Sequence, residues 1–192
     1  MPRTKEQNEI IRSARKQEIM DAALQAFAEK GYANTSISEI GRQVNISKGL
    51  LYNYFESKDD LLQQILISGA EKISKGLFTE HMTTEQFLAD TEELFDNVME
   101  NKNFLKLYTA LSVQSSVTKQ VELMTNNYTA FKALVAFFQR KFGEDANKEL
   151  LLLSVIAKGY SILALFGDRQ QVIPLDMLKS VVMDFIRQRY AE

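Results

Sequence analysis

Between Thr35 and Lys58 the chain sets out hydroxyl, cationic and small residues in an order that suits contact with a nucleic acid. Lys48 can reach a guanine edge or a phosphate, Gly49 lets the backbone come close, and Leu50 can touch a thymine methyl. Tyr52 and Tyr54 carry hydroxyls that can hydrogen-bond phosphates, and Asn53 joins Lys48, Gly49 and Leu50 as a candidate reader of bases. Thr35, Ser36 and Ser47 precede them, and Lys58 closes the DNA-facing set. Lys48 and Tyr52 are spaced i, i+4 on one helix face, and Gly49 and Asn53 are so spaced on another. Lys58 opens a further helix, where a cation opposes the macrodipole. A phosphate bound by the helix amides and the ammonium together would supply the reason. Any one of these residues alone is more often a cap or a solvated side chain. The ordered string carries the assignment.

The elements that must hold these residues are legible around them. Ser36 followed by Glu39 has capping-box spacing. Ile37, Ile40 and Val44 then mark one apolar face of a short helix. Asn45 tolerates a left-handed backbone and can turn the chain. Ile46 plugs the angle, and Ser47 caps the next helix. That helix is expected over Lys48–Phe55, with Leu51 and Phe55 in the core at i, i+4. Ser57 offers a cap to the helix that follows, with Asp60 three residues on. Two short helices joined by a tight turn make a helix-turn-helix arranged to sit in a major groove.

From Ile19 to Leu62 the sequence resembles the N-terminal domain of the TetR/AcrR family of bacterial regulators. Ile19, Ala22, Ala23, Phe27, Gly31, Tyr32, Thr35, Ser36, Ile40, Ser47, Gly49, Leu51, Tyr52, Tyr54, Phe55, Lys58 and Leu61 carry the likeness. The resemblance implies that Ser36, Ser47, Lys48, Tyr52, Tyr54 and Lys58 contact DNA, mostly at phosphates. It also implies pairing through the last two long helices. Three positions depart from the family pattern. Gly41 stands where Ala is usual, Asn45 where Gly is usual, and Tyr54 where His and Tyr alternate. Gly41 should weaken its helix by up to about 1 kcal/mol.

Composition narrows the class. The chain has 192 residues, 45% of them hydrophobic, with no cysteine, one histidine and a net charge of −2. Without cysteine there is no disulfide or thiol chemistry, which fits a reducing cytoplasm. The first residues have no apolar core, so no signal peptide is expected, and no run reaches membrane length. Residues 1–58 are net positive and residues 59–192 net negative, an asymmetry that suits a DNA-binding head. Arg3, Lys5, Arg12, Arg15 and Lys16 crowd the first seventeen residues. Two readings stand for this basic tail: an arm along the DNA backbone or minor groove, or a mobile, solubilising end.

Catalysis finds little support. His81 is the single histidine, and no phosphate loop, metal cluster or paired carboxylates accompany it. We expect no catalytic residue, no metal and no cofactor.

Strand signals are absent, so the expected fold is all-α. It has nine helices in two domains, a three-helix helix-turn-helix head at 1–58 and a helical effector-binding and dimerisation body at 59–192. The first helix ends near Lys30, with Gly31 as its stop. The fourth runs from Ser57 to about Phe78, weakened by Gly69 and Gly76. Thr83 with Gln86 opens a helix to Glu100, and further helices cover 104–115, 119–142, 147–166 and 175–190. Gly143 and Gly167 act as stops, and Asp168 to Pro174 is a loop.

The helix from Leu150 to Phe166 is apolar nearly all round, and such a helix is buried on more than one side. With the last helix it can form half of an isologous four-helix interface between two copies. The candidate pairing residues are Ile156, Gly159, Leu163, Leu178, Val182 and Phe185. The alternative is that both helices fill the monomer core. The middle helices are rich in Phe87, Phe95, Met99, Phe104, Tyr108, Met124, Tyr128 and Phe131, side chains that can line an adaptable small-molecule pocket. Polar selectors there could be Tyr108, Gln114, Asn127 or Tyr128. Asp90, Glu92, Glu93 and Asp96 read as a solvated face.

The function these features imply is a regulator that binds a palindromic double-stranded DNA operator as a homodimer, with repression as the default sign. A small apolar or amphipathic effector releases it, by swinging the fourth helix so that the heads no longer match adjacent grooves. No membrane partner is expected. A DNA binder controlled by a protein partner, or by nothing, would have the same sequence features. Effector identity, operator sequence and target genes are not written in the chain.

Overall fold

The computed structural model describes residues 4–112, 129–170 and 174–191. Helices dominate, and no strand occurs among these residues. The chain divides into two compact units, Met1–Ser68 and Gly69–Glu192, and the division falls inside one helix.

In the head unit, helix takes in residues that the sequence reads as a tail. Helix α1 runs Lys5–Lys30, and its cap is a full capping box in which Thr4 and Gln7 satisfy each other's amides. From Lys5 onward, the basic segment read above as a DNA-following arm or a mobile end is therefore helical. Ile19, Ala23, Ala26 and Phe27 are buried along its second half. Gly31 ends it with φ of 85°, a backbone region open to glycine. Helix α2 spans Ile37–Gln43, helix α3 spans Lys48–Leu51, and α4 spans Lys58–Ile73. The α3 residues form a shorter α-helix than the expected Lys48–Phe55. Helical bonding nonetheless continues in a tightened form: the Asn53 and Tyr54 amides donate to the Leu50 and Leu51 carbonyls, and that of Phe55 to Leu51. Leu51 and Phe55 are buried as expected, beside Ile37, Ile40, Val44, Leu61 and Leu62.

Helix α4 stops short of the expected Phe78. Asn97 Nδ2 donates to the Ile73 carbonyl at 2.9 Å, capping the helix end. Gly76 (φ 84°) and Phe78 (φ 55°) then take left-handed conformations. Asp90 holds this bend: its carboxylate accepts from the Phe78 amide at 2.7 Å and from Gln86 Nε2 at 2.6 Å. Asp90 is thus buried, not part of a solvated acidic face. Its neighbours Glu92 and Asp96 pair with Lys179 and Arg187 of the last helix.

The body unit continues with α5 (Thr84–Glu100), α6 (Lys102–Ser112), α7 (Thr129–Phe142), a 3-10 turn at Gly143–Asp145, α8 (Ala146–Gln170) and α9 (Leu175–Tyr190). Thr83 caps α5 through the Gln86 amide, as its spacing indicates. Gly167 does not act as a stop, because α8 runs through it to Gln170. A lone glycine costs only about 1 kcal/mol inside a helix, which a long packed helix absorbs. Helix α8 packs on α6, α7 and α9, and α9 packs on α5. At the end of α9, Tyr190 is fully buried among Phe87, Phe138 and Phe142. Its hydroxyl donates to the Glu149 carbonyl at 3.3 Å, and burial pushes its pKa up to about 12. Arg189 pairs with the Glu149 carboxylate and holds it below the usual carboxylate range.

Candidate nucleic-acid interface

Local capping sets the head's polar surface. Ser36 Oγ accepts the Glu39 amide at 3.2 Å, and Ser47 Oγ accepts the Leu50 amide at 3.1 Å. The reciprocal half of the Ser36 capping box is replaced, because the Glu39 carboxylate pairs with Lys30 instead. That partner lowers the Glu39 pKa. Asn45 has φ of 55°, the left-handed turn expected of it. Gly41 fits beneath that turn. A Cβ placed there would lie 2.8 Å from the Ile46 carbonyl oxygen, while the Ile46 amide donates to the Gly41 carbonyl at 2.8 Å.

Around α3 the structure brings together much of the expected DNA-facing set. Lys48, Gly49, Leu50, Tyr52 and Asn53 are exposed, and nothing lies within 4 Å of a Cβ built on Gly49. The Leu50 and Tyr52 side chains stand 43% and 44% exposed, while the neighbouring Leu51 is fully buried. Leu50 and Tyr52 thus offer apolar and aromatic contact surface beside Lys48, on a turn that Leu51 anchors. The Lys48 ammonium lies 6.0 Å from the Tyr52 ring centroid. Tyr54 is half-buried.

Two residues of the expected set have other roles. Thr35 is buried, and its hydroxyl faces the Gly31 carbonyl at 3.0 Å and the Ala26 carbonyl at 3.3 Å. It closes the end of α1 and is withdrawn from the surface. Lys58 is half-buried: its ammonium donates to the Tyr32 carbonyl and lies 4.2 Å from the Tyr32 ring centroid. Burial lowers its pKa, with Asp59 acting the other way. These contacts account for a lysine at a helix N-terminus without a phosphate. Asp59 and Asp60 beside it restore the acid that the dipole favours.

Sequence reasoning placed Arg12 and Arg15 in a basic tail and missed their partners in the helix-turn-helix. Arg15 Nη2 donates to the Val44 carbonyl at 2.6 Å, and Arg12 Nη2 donates to the Asn53 carbonyl at 2.8 Å. The signal was present, since Arg12, Arg15 and Lys16 are spaced i, i+3, i+4 and lead directly into the buried Ile19 stripe.

In the body, the described members of the aromatic and methionine set do not converge on one space. Phe87 stacks on Phe137 and meets Phe138 and Tyr190 edge-on. Phe95 stacks on Tyr160, and Phe104 on Tyr108. Met99 is half-buried against the core, and Phe131 is half-buried. Met124, Tyr128, Gln114 and Asn127 lie outside the described residues. A cavity of about 180 Å³ opens elsewhere, lined by Ser74, Lys75, Leu77, Phe78 and Ala130 among others.

The candidate pairing residues divide as well. Leu163 and Phe185 are exposed. Ile156 and Val182 pack partly against the core, Gly159 is half-buried, and Leu178 is a core residue. Leu151, Val155, Ile162, Met177 and Val181 extend the exposed apolar face of α8 and α9.

Residues 19–65 match the model of bacterial regulatory proteins of the tetR family. YuxN of Bacillus subtilis (strain 168), an HTH-type transcriptional regulator, is 32% identical over 93 residues, covering 46% of this chain and 32% of YuxN. IcaR of Staphylococcus aureus, an HTH-type negative transcriptional regulator of the biofilm operon icaADBC, is 29% identical over 108 residues, 50% of this chain and 53% of IcaR. The chain thus spans about half or less of the curated relatives it matches. The fold agrees over greater length. FadR of Bacillus subtilis, solved in complex with stearoyl-CoA, aligns with a TM-score of 0.73 at 18% identity, over 88% of this chain and 96% of FadR. A transcriptional regulator from Aquifex aeolicus VF5 aligns with a TM-score of 0.66 at 22% identity, over 92% of this chain and 99% of that one.

Proposed function

We propose that this member of the TetR/AcrR family of bacterial regulators is a homodimeric repressor that binds a palindromic DNA operator and is released by a small apolar or amphipathic effector. One observation carries the DNA-binding reading: Lys48, Gly49, Leu50, Tyr52 and Asn53 stand exposed on a turn that Leu51 and Phe55 anchor from beneath. Charged, apolar and hydroxyl groups on one anchored helix suit a major groove, where phosphate contacts fix register and base edges are read. Ser36 and Ser47 sit exposed at the helix N-termini beside it.

Dimerisation is supported by the exposed apolar residues of α8 and α9. Leu151 and Val155 stand 65% and 59% exposed on one helix, Met177 and Val181 62% and 59% on the other. Spaced i, i+4 along two helices that pack on each other, such exposed apolar residues suit an interface, and a two-fold axis brings the same surface against itself. Two heads separated by about one helical turn, ~34 Å, would read two half-sites. IcaR, a negative regulator, favours repression as the sign. The effector reading draws support from FadR, whose structure holds stearoyl-CoA, and from the cavity beside Ser74. That cavity is smaller than the roughly 300–1,000 Å³ of typical ligand sites, so an effector would have to widen it. Action in the cytoplasm and without catalysis follows from the same reading. Among the described residues no helix is long and apolar enough to cross a membrane.

Selection of bound duplexes from random DNA tests the whole reading: a recurring palindrome is the expected result, and no enrichment would overturn it. On the selected duplex, Lys48→Ala should weaken binding about tenfold or more while the fold persists, in keeping with about 1–3 kcal/mol for a good base contact. Unchanged affinity would remove α3 from the interface.

A further inference from the structure

Helix α1 carries cations on the face that turns toward the helix-turn-helix. Arg15 Nη2 reaches the Val44 carbonyl where α2 ends, at 2.6 Å. The Lys16 ammonium lies 5.5 Å from the Phe55 ring centroid. Arg12 goes furthest. Its Nη2 donates to the Asn53 carbonyl at 2.8 Å, and its guanidinium lies 5.3 Å from the Tyr54 ring centroid. Both partners belong to the last turn of α3.

On its outer side that turn leaves carbonyls that its own helix does not satisfy. The last carbonyls of a helix have no partner within it, and α3 contains only the four residues Lys48–Leu51 as regular α-helix. The amides of Asn53 and Tyr54 are bonded inward to Leu50 and Leu51 at 3.1 and 3.0 Å. Leu51 and Phe55 anchor the turn from beneath, and what meets its outward carbonyls restrains it from the other side. A planar guanidinium that bonds one carbonyl and lies over the adjacent ring restrains two consecutive residues at once. A cation at a helix C-terminus is also favoured by the dipole.

We propose that Arg12 is a positioning residue for DNA recognition. By holding the Asn53 carbonyl and the Tyr54 ring it fixes the last turn of α3, and with it the Asn53 side chain and the Tyr54 hydroxyl that meet the duplex. The inference rests on the reading that α3 binds DNA. It differs from that reading, and from the idea of a basic tail, in assigning Arg12 a protein partner and not a phosphate.

The two roles separate by salt dependence and by specificity. Full-length Arg12→Met is compared with the parent protein on the selected duplex and on a scrambled duplex, across a range of salt. Positioning predicts about a tenfold loss on the selected duplex and little on the scrambled one. The slope of log affinity against log salt then stays unchanged. A phosphate contact predicts similar losses on both duplexes and a slope shallower by about 1.8, about 0.9 for each of the two heads, and that result would overturn the proposal, as would unchanged affinity.

Amide hydrogen exchange of the free protein supplies a reading independent of DNA. In Arg12→Met the segment 51–55 should exchange at least threefold faster, while residues 19–27 keep their protection. Unaltered exchange at 51–55 sinks the brace even if the protein were to select no duplex at all, an outcome that would separately dispose of the DNA-binding reading.

Discussion

Thr35 has two carbonyl acceptors within reach of one buried hydroxyl, and that decides what its removal should do. Thr35→Val keeps the shape but leaves those carbonyls facing a methyl group. Stability of the head should fall by about 1–3 kcal/mol, the scale for an orphaned buried polar group, read as a lower midpoint in urea. Operator affinity, measured where the variant is fully folded, should hold. A loss of binding without a loss of stability would return Thr35 to the DNA surface. Thr35 and Lys58 show where residue types mislead. A threonine before a helix and a lysine at the start of one look in sequence like phosphate ligands. Only the arrival of Gly31 and Ala26 beside the first, and Tyr32 beside the second, reveals their protein partners. Gly31 is close in sequence, but Ala26 and Tyr32 lie 9 and 26 residues from their partners, separations that no short motif encodes. Ser36, Asn45, Ser47, Leu51 and Phe55 were legible because each answers to its immediate neighbours.

Among the elements, the turn between α2 and α3 carries a pair of residues that depend on each other. An alanine at position 41 would gain about 0.8–1.0 kcal/mol of helix propensity. Its Cβ would also press on the Ile46 carbonyl oxygen, which belongs to backbone and yields poorly. Overpacking of this sort costs typically 1–3 kcal/mol, so Gly41→Ala should destabilise the head by about 1 kcal/mol despite the propensity gain. Adding Asn45→Gly gives the turn freedom to move and should recover part of the loss. A double-mutant cycle on thermal midpoints measures that coupling, and strict additivity would show that the two positions are independent. Element ends were the least legible part of the fold. The capping box at Thr4 and Gln7 was readable, yet the basic composition that follows it reads as a tail until Arg12 and Arg15 are seen to have carbonyls to bind. Helix α4 ends early because Asn97 and Asp90, both from α5, cap and bend it. Gly167 fails to end α8, since a glycine in sequence does not declare whether packing will carry a helix through it.

For the molecule as a whole, the apolar face of α8 and α9 separates two explanations that sequence leaves mixed. Leu178, Ile156 and Val182 turn toward the monomer core, while Leu151, Val155, Met177, Val181 and Phe185 do not. A helix hydrophobic on all sides announces burial without saying against what. Gly159 sits where an added Cβ meets no heavy atom within 4 Å. Gly159→Leu should therefore leave the single chain folded and disrupt pairing, as should Val181→Asp. Sedimentation should show a monomer for both, with helical circular dichroism intact. A dimer persisting in both variants would place the pairing surface elsewhere.

Tyr190 carries a further consequence, concerning the order in which the chain is made. Its ring completes the nest of Phe87, Phe138 and Phe142, and Arg189 beside it engages Glu149. The head unit, by contrast, is contained within Met1–Ser68. A ribosome adding about 5–20 residues per second needs roughly 6 to 24 s to travel from the end of the head to Tyr190. Through that interval the DNA-reading unit can fold while the body still lacks the ring that closes its core. Nascent chains would spend those seconds with a finished head and an open, apolar body, the period in which chaperones would find them.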